Sequence, residues 1–143
     1  MAKKSVLFSI HEDLVNALKG VIETKYIFLK DRPSSIDSDT PMKKFVVIDL
    51  PVSINDYVIG KKKTYLTTAG VIYLFTATTK KNTLDINATG NLVDSIVELF
   101  PINGQFCSAA DPVVRMTGND GQGFQVTTIT FDLQTKWRVF DKE

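Results

Sequence analysis

Cysteine and histidine are almost missing from this chain of 143 residues, which holds one of each, Cys107 and His11. A single cysteine excludes an internal disulfide, and a lone cysteine and histidine cannot make up the ligand set of a zinc site. The framework must therefore be packing. An excess of charge of one sign is also lacking, because 17 lysines and arginines face 16 aspartates and glutamates, a formal net charge of +1. Such a balance argues against bulk attraction to nucleic acid or to an anionic membrane. Long apolar runs are lacking too, and nothing approaches the ~20 residues of a membrane span. The N-terminal MAKKSVLFSIHEDL has only Val6, Leu7 and Phe8 before polar residues return, too short for a signal-peptide core. The expected compartment is a reducing cytoplasm, or a particle assembled there.

What is present describes an ordinary globular chain. A single domain over residues 1–143 is expected, since a domain of this size removes roughly 68–70% of its unfolded-chain surface from water and needs no metal or disulfide. Ser9 to Thr24 reads as a helix, with Leu14, Val15, Leu18, Val21 and Ile22 at helical spacing. Ser9 is placed as an N-cap with Glu12 completing a capping box, and Glu12 and Asp13 suit the dipole of a first turn. A short apolar piece, Tyr26 to Leu29, precedes DRPSSIDSDTPM, whose prolines, serines and aspartates mark a long loop. Lys43 to Ile54 and Lys62 to Thr79 read as strands, with Gly70 a candidate bend and NDYVIGKKK the hairpin connection between them. Asn82 to Phe100 returns to helical spacing through Leu84, Ala88, Leu92, Val93, Ile96, Val97 and Phe100, and Pro101 ends it. Pro112 to Thr117 and Phe124 to Phe140 read as two strands joined by the turn GNDGQG.

The last strand is the most regular piece of the chain. Ile129, Phe131, Leu133, Thr135, Trp137 and Val139 alternate with Thr128, Thr130, Asp132, Gln134, Lys136 and Arg138, so one face is buried and the other wet. Phe124 and Val126 break the parity. A bulge near Thr127 or Thr128 is the preferred repair, and coverage of the first part on both faces is the alternative. The coarse order is helix, three strands, helix, two strands, an α+β class without repeats.

Chemistry is hard to find in these residues. Cys107 and His11 would make a nucleophile and base, but no local motif surrounds either, and a small semi-buried thiol and a helix-surface imidazole describe them better. Ser108 stands in CSAA without a nucleophile elbow. GNDGQG has neither the spacing nor the following helix of a phosphate loop, and Asp111, Asn119 and Asp120 lack the twelve-position pattern of a calcium loop. No catalytic residue, cofactor or metal is expected. Lys61, Lys62 and Lys63, followed by Tyr65, Tyr73 and Phe75, offer an alternative: a basic and aromatic platform for single-stranded nucleic acid. A solvated turn before a core-facing strand has the same composition. A small enzyme or ligand-binding domain is the third reading.

The element order, carried by IHEDLVNALKGVI, KKFVVIDLPVS, NLVDSIVELFP and GFQVTTITFDLQTKWRV, resembles the tail-terminator and tail-completion proteins of long-tailed bacteriophages over nearly the whole chain. That family is linked by topology and size, not by an invariant motif. The wording rich in Lys, Asn and Ile is similar to ring or neck proteins of crAss-like phages. The resemblance implies a tail-terminator-like α+β domain, a mixed or antiparallel sheet of about five strands packed against two helices. It also implies a non-enzymatic virion protein at the head–tail junction or tail end, assembled in the host bacterial cytoplasm. Its copies would form a six- or twelve-fold homo-oligomeric ring docked on neighbouring portal, neck or tail proteins, with DNA passing through without sequence-specific binding. Contacts between copies are then expected from Arg32, Asp37 and Asp39, from Asp56, Lys61, Lys62 and Lys63, from Asn119 and Asp120, and from Thr128, Thr130, Asp132, Gln134, Lys136 and Arg138. For each loop the plain alternative is a mobile surface segment.

Overall fold

Two apolar helical stripes and several alternating segments need one shared core, and a single sheet supplies it. The computed structural model describes residues 6–29, 43–50, 55–59, 63–79, 81 and 83–135. Helix α1 is Val6–Leu18 and α2 is Ile86–Val97. The strands are β1 (Ile27–Leu29), β2 (Lys44–Asp49), β3 (Asn55–Ile59), β4 (Lys63–Ala77), β5 (Ile102–Asn103), β6 (Cys107–Asn119) and β7 (Phe124–Thr135). Six of them form one ladder in the order β1-β2-β4-β7-β6-β5, and β3 pairs with the start of β4. Only β1 and β2 run parallel, so the sheet is mixed. The class is α+β, with more strands than the five expected. β5 is too short to show a period, and β3 lies inside the segment read as a hairpin connection. Among the described residues no helix is long and apolar enough to cross a membrane.

The pleat sorts side chains between two clusters. Val46 and Ile48 of β2, Ile72 and Leu74 of β4, and Ile129, Phe131 and Leu133 of β7 face α1 and α2, meeting Ile10, Leu14, Leu18, Leu92 and Ile96. Each such aliphatic side chain, when fully buried, contributes roughly 1.5–3 kcal/mol. The opposite face carries a smaller aromatic cluster of Phe45, Val47, Phe75 and Phe124, where Phe45 and Phe75 stack at 4.5 Å.

Three expectations change. α1 begins at Val6 and stops at Leu18, so Ser9 is inside the helix and Asp13 is past its first turn. The apolar period runs on to buried Ile22, but through a turn in which the Ile22 N–H donates to Leu18 O at 3.0 Å. α2 is shorter than 82–100 and is capped by Asp85, whose carboxylate accepts the Ala88 N–H at 3.1 Å. Pairing of β7 with β4 is continuous from Phe124 to Gln134, so there is no bulge at Thr127 or Thr128. Phe124 and Val126 change parity because the aromatic cluster gives them an apolar home on the second face. The bulges lie in β6 instead, between Ala110 and Val113 and between Met116 and Gly118. Gly70 lies within β4, whose pairing with β7 runs through it without a break. It is needed because the Phe131 ring of the adjacent strand lies across it, with Cζ 2.5 Å from where a Cβ would stand.

Candidate assembly surface

The even positions of β7 sit where the alternation puts them, away from both helices. Thr128 and Thr130 are half-buried, and their hydroxyls donate to Arg115 O at 3.2 Å and Val113 O at 3.3 Å. Asp132 and Gln134 are exposed, beside exposed Ala69 of β4. Among the described residues the aromatic cluster covers this face at its Phe124 end. Farther along, the second face carries the exposed polar residues Asp132 and Gln134. Asn119 and Asp120 shape the β6–β7 turn: the Asn119 carboxamide oxygen accepts from Gly121 N at 2.7 Å, and one Asp120 carboxylate oxygen accepts from Gln122 N at 2.7 Å and Phe124 N at 3.1 Å. Gly118, Gly121 and Gly123 hold φ of 112°, 78° and 92° there, which a residue with a Cβ rarely adopts. Arg32, Asp37, Asp39, Lys61, Lys62, Lys136 and Arg138 lie outside the described residues. Asp56 and Lys63 belong to the paired strands β3 and β4.

A second surface, the outer edge of β6, had no signal in the residue pattern. β5 pairs only with Ser108 and Ala109, and among the described residues no strand pairs with β6 beyond them on that side. Val113, Val114 and Met116 are 49%, 39% and 54% exposed. Val114 and Met116 stand opposite Ile129 and Thr127, hence on the helix side of the sheet, and Arg115 stands with Thr128 on the other. At the first bulge Asp111 holds φ 59°, a strain of about 1 kcal/mol for a residue with a side chain. There the chain turns aside and opens a cleft of about 390 Å³ lined by Val97, Phe100, Pro101, Ala110, Asp111 and Pro112. Five of these are apolar, and Asp111 is the one charge.

Several polar groups are buried below the surface. The Asp13 carboxylate, 7% exposed, accepts backbone N–H groups from Gln105 at 3.2 Å and from Phe106 and Cys107 at 2.8 Å each. It fastens α1 to the β5–β6 turn, where a Cβ on Gly104 would overlap the carboxyl group. Periodicity could not have found this bond, because its partners are main-chain groups some ninety residues away. Cys107 is a buried thiol. His11 is half-buried, its Nδ1 has no hydrogen-bond partner, and burial holds its pKa below the ordinary 6.5. Thr76 and Thr89 share a hydrogen bond of 2.7 Å between β4 and α2, and the buried Thr127 hydroxyl has none. Of the aromatic residues proposed to stack on bases, Phe75 is 6% exposed and engaged with Phe45, and Tyr73 packs on the same cluster. Among the described residues no three His, Cys, Asp or Glu side chains gather to hold a metal ion.

No protein-family model and no curated protein matches this chain. Its fold is similar to that of solved structures. One of them, a chain whose name states no function, aligns with a TM-score of 0.58 and 9% identity over 92% of this chain and 94% of its own. A likeness at that identity shows the α+β fold alone.

Proposed function

We propose that this protein is a structural subunit of a bacteriophage virion, forming a homo-oligomeric ring at the neck or the tail end and acting by docking, without catalysis. The supporting observation is the asymmetry of the sheet. Both helices pack on one face, and on the other Ala69, Asp132 and Gln134 are exposed. An exposed polar surface of that kind suits contact with an unlike surface of a neighbouring copy, and such head-to-tail contacts close into rings. The β1 edge, where Leu29 is 53% exposed, is the surface we assign to the other side of that contact.

Light scattering after size exclusion, from micromolar to near-millimolar concentration, tests the reading when combined with negative-stain imaging. A discrete species of six or twelve copies with a central hole is expected. A monomer at every concentration, with no incorporation into particles carrying portal and tail proteins, would sink it.

A further inference from the structure

We infer that the outer edge of β6 is a two-fold contact between two copies of this chain, with Met116 of each copy seated in the cleft beside Asp111 of the other. Three observations meet on this short strip. Met116 and Val114 are exposed apolar side chains on the helix side of the sheet. The cleft walled by Pro112, Phe100, Pro101 and Val97 lies beside them, and Val97 and Phe100 belong to the helix side of the sheet. Asp111 and Arg115 are exposed opposite charges that flank Val113.

The geometry of antiparallel pairing connects them. When two identical strands pair edge to edge about a two-fold axis perpendicular to the sheet, residues that face each other keep the same side of the sheet. With the axis at Val114, Met116 of one copy falls opposite Pro112 of the other, a wall of the cleft. Arg115 falls opposite Val113, two residues along the chain from the other copy's Asp111 at the bulge, a separation that a long side chain spans. Every interaction then occurs twice, as an isologous contact requires. β5 pairs with β6 no farther along than Ala109, and among the described residues no other strand pairs with this edge. Pro112 has no N–H, and the two bulges interrupt a regular ladder, so side chains must hold this contact more than main-chain bonds do. That is why a specific partner fits better than indiscriminate strand addition. Self-complementarity of knob, hole and charge selects a second copy over an unrelated protein.

The inference does not depend on the ring. A two-fold contact alone ends at a dimer, and within a ring assembly it would join two rings back to back.

The test uses the full chain with Val114→Cys, which places a thiol on the axis, and Asp94→Cys on the exposed side of α2 as control. Under mild oxidation Val114→Cys is expected to give a covalent dimer at least ~10-fold faster than the control, with the parent chain, whose Cys107 is buried, giving none. Met116→Glu and Arg115→Glu are each expected to raise the dimer dissociation constant about 10-fold or more. Asp111→Asn should weaken the parent dimer yet strengthen the Arg115→Glu one, since asparagine keeps the left-handed backbone and removes the repulsion. Thermal melts confirm that each variant is folded. Equal cross-linking of Val114→Cys and control, or an unchanged dissociation constant in Met116→Glu, overturns the contact. A ring whose mass ignores these variants would leave the ring reading standing without this contact. A cross-linked dimer that never grows would do the reverse.

Discussion

Asp13 shows how much a single side chain can decide. Its two oxygens hold three main-chain N–H groups of the β5–β6 turn. Asp13→Ala leaves those donors without an acceptor and is expected to cost about 2–4 kcal/mol in urea unfolding. Asp13→Asn, which keeps one acceptor oxygen, should lose less. Equal stability of the alanine variant and the parent would mean that water replaces the carboxylate. Thr127 is the opposite case, a buried hydroxyl with no partner on the helix side of β7. Thr127→Val keeps the shape and removes the unpaired group, so a gain of about 1 kcal/mol is expected in the same assay. For His11 the pH dependence has a definite sign. Its pKa is lowered by burial, so as pH falls below about 6.5 the unfolded chain takes up the proton first. Stability from this residue is full above pH 6.5 and is lost as pH falls toward the lowered folded-state value. Melts between pH 7.5 and 5.5 should show that loss in the parent and a flatter profile in His11→Gln.

Elements were legible in proportion to how far their period reflects one covered face. The helix-facing row of β7, Ile129, Phe131 and Leu133, is buried as its alternation requires, and the glycines of GNDGQG adopt the positive φ that the turn needs. The parity change at Phe124 and Val126 was legible, but its cause was not. A slipped strand and a second apolar cluster give the same residue pattern, and only the aromatic rings of β2 and β4 distinguish them. β6 hid its bulges because Asp111, Pro112 and Gly118 look like loop residues when read singly. Gly70 looked like a bend, and the Phe131 ring lying across it is a second reason for glycine there that no local pattern showed. Gly70→Ala should therefore cost about 1–3 kcal/mol by overpacking, and Phe131→Leu in that background should recover part of it. An additive loss in the double variant would place the cost in the backbone of β4.

For the whole molecule the decisive fact is that both helices lie on one side. Asp132 and Gln134 are exposed on the other side, and the proposed ring places a contact there. Asp132→Lys combined with Gln134→Lys is expected to abolish the large species while moving unfolding free energy by no more than about 0.5 kcal/mol, as exposed substitutions usually do. Persistence of the large species in that variant would move the ring contact elsewhere on the surface.

The sequence alone determined the α+β class, a core built by packing instead of bridges, the existence of two amphipathic helices and the buried side of the final strand. Each of these depends on local periodicity or on the count of a residue type, and a linear chain carries both. The tertiary structure decided which strands are neighbours, which face receives the aromatic cluster, where Asp13 finds its three donors and which edge of the sheet is left open. Those outcomes depend on contacts between residues far apart in the chain, and no property of one segment specifies its partner.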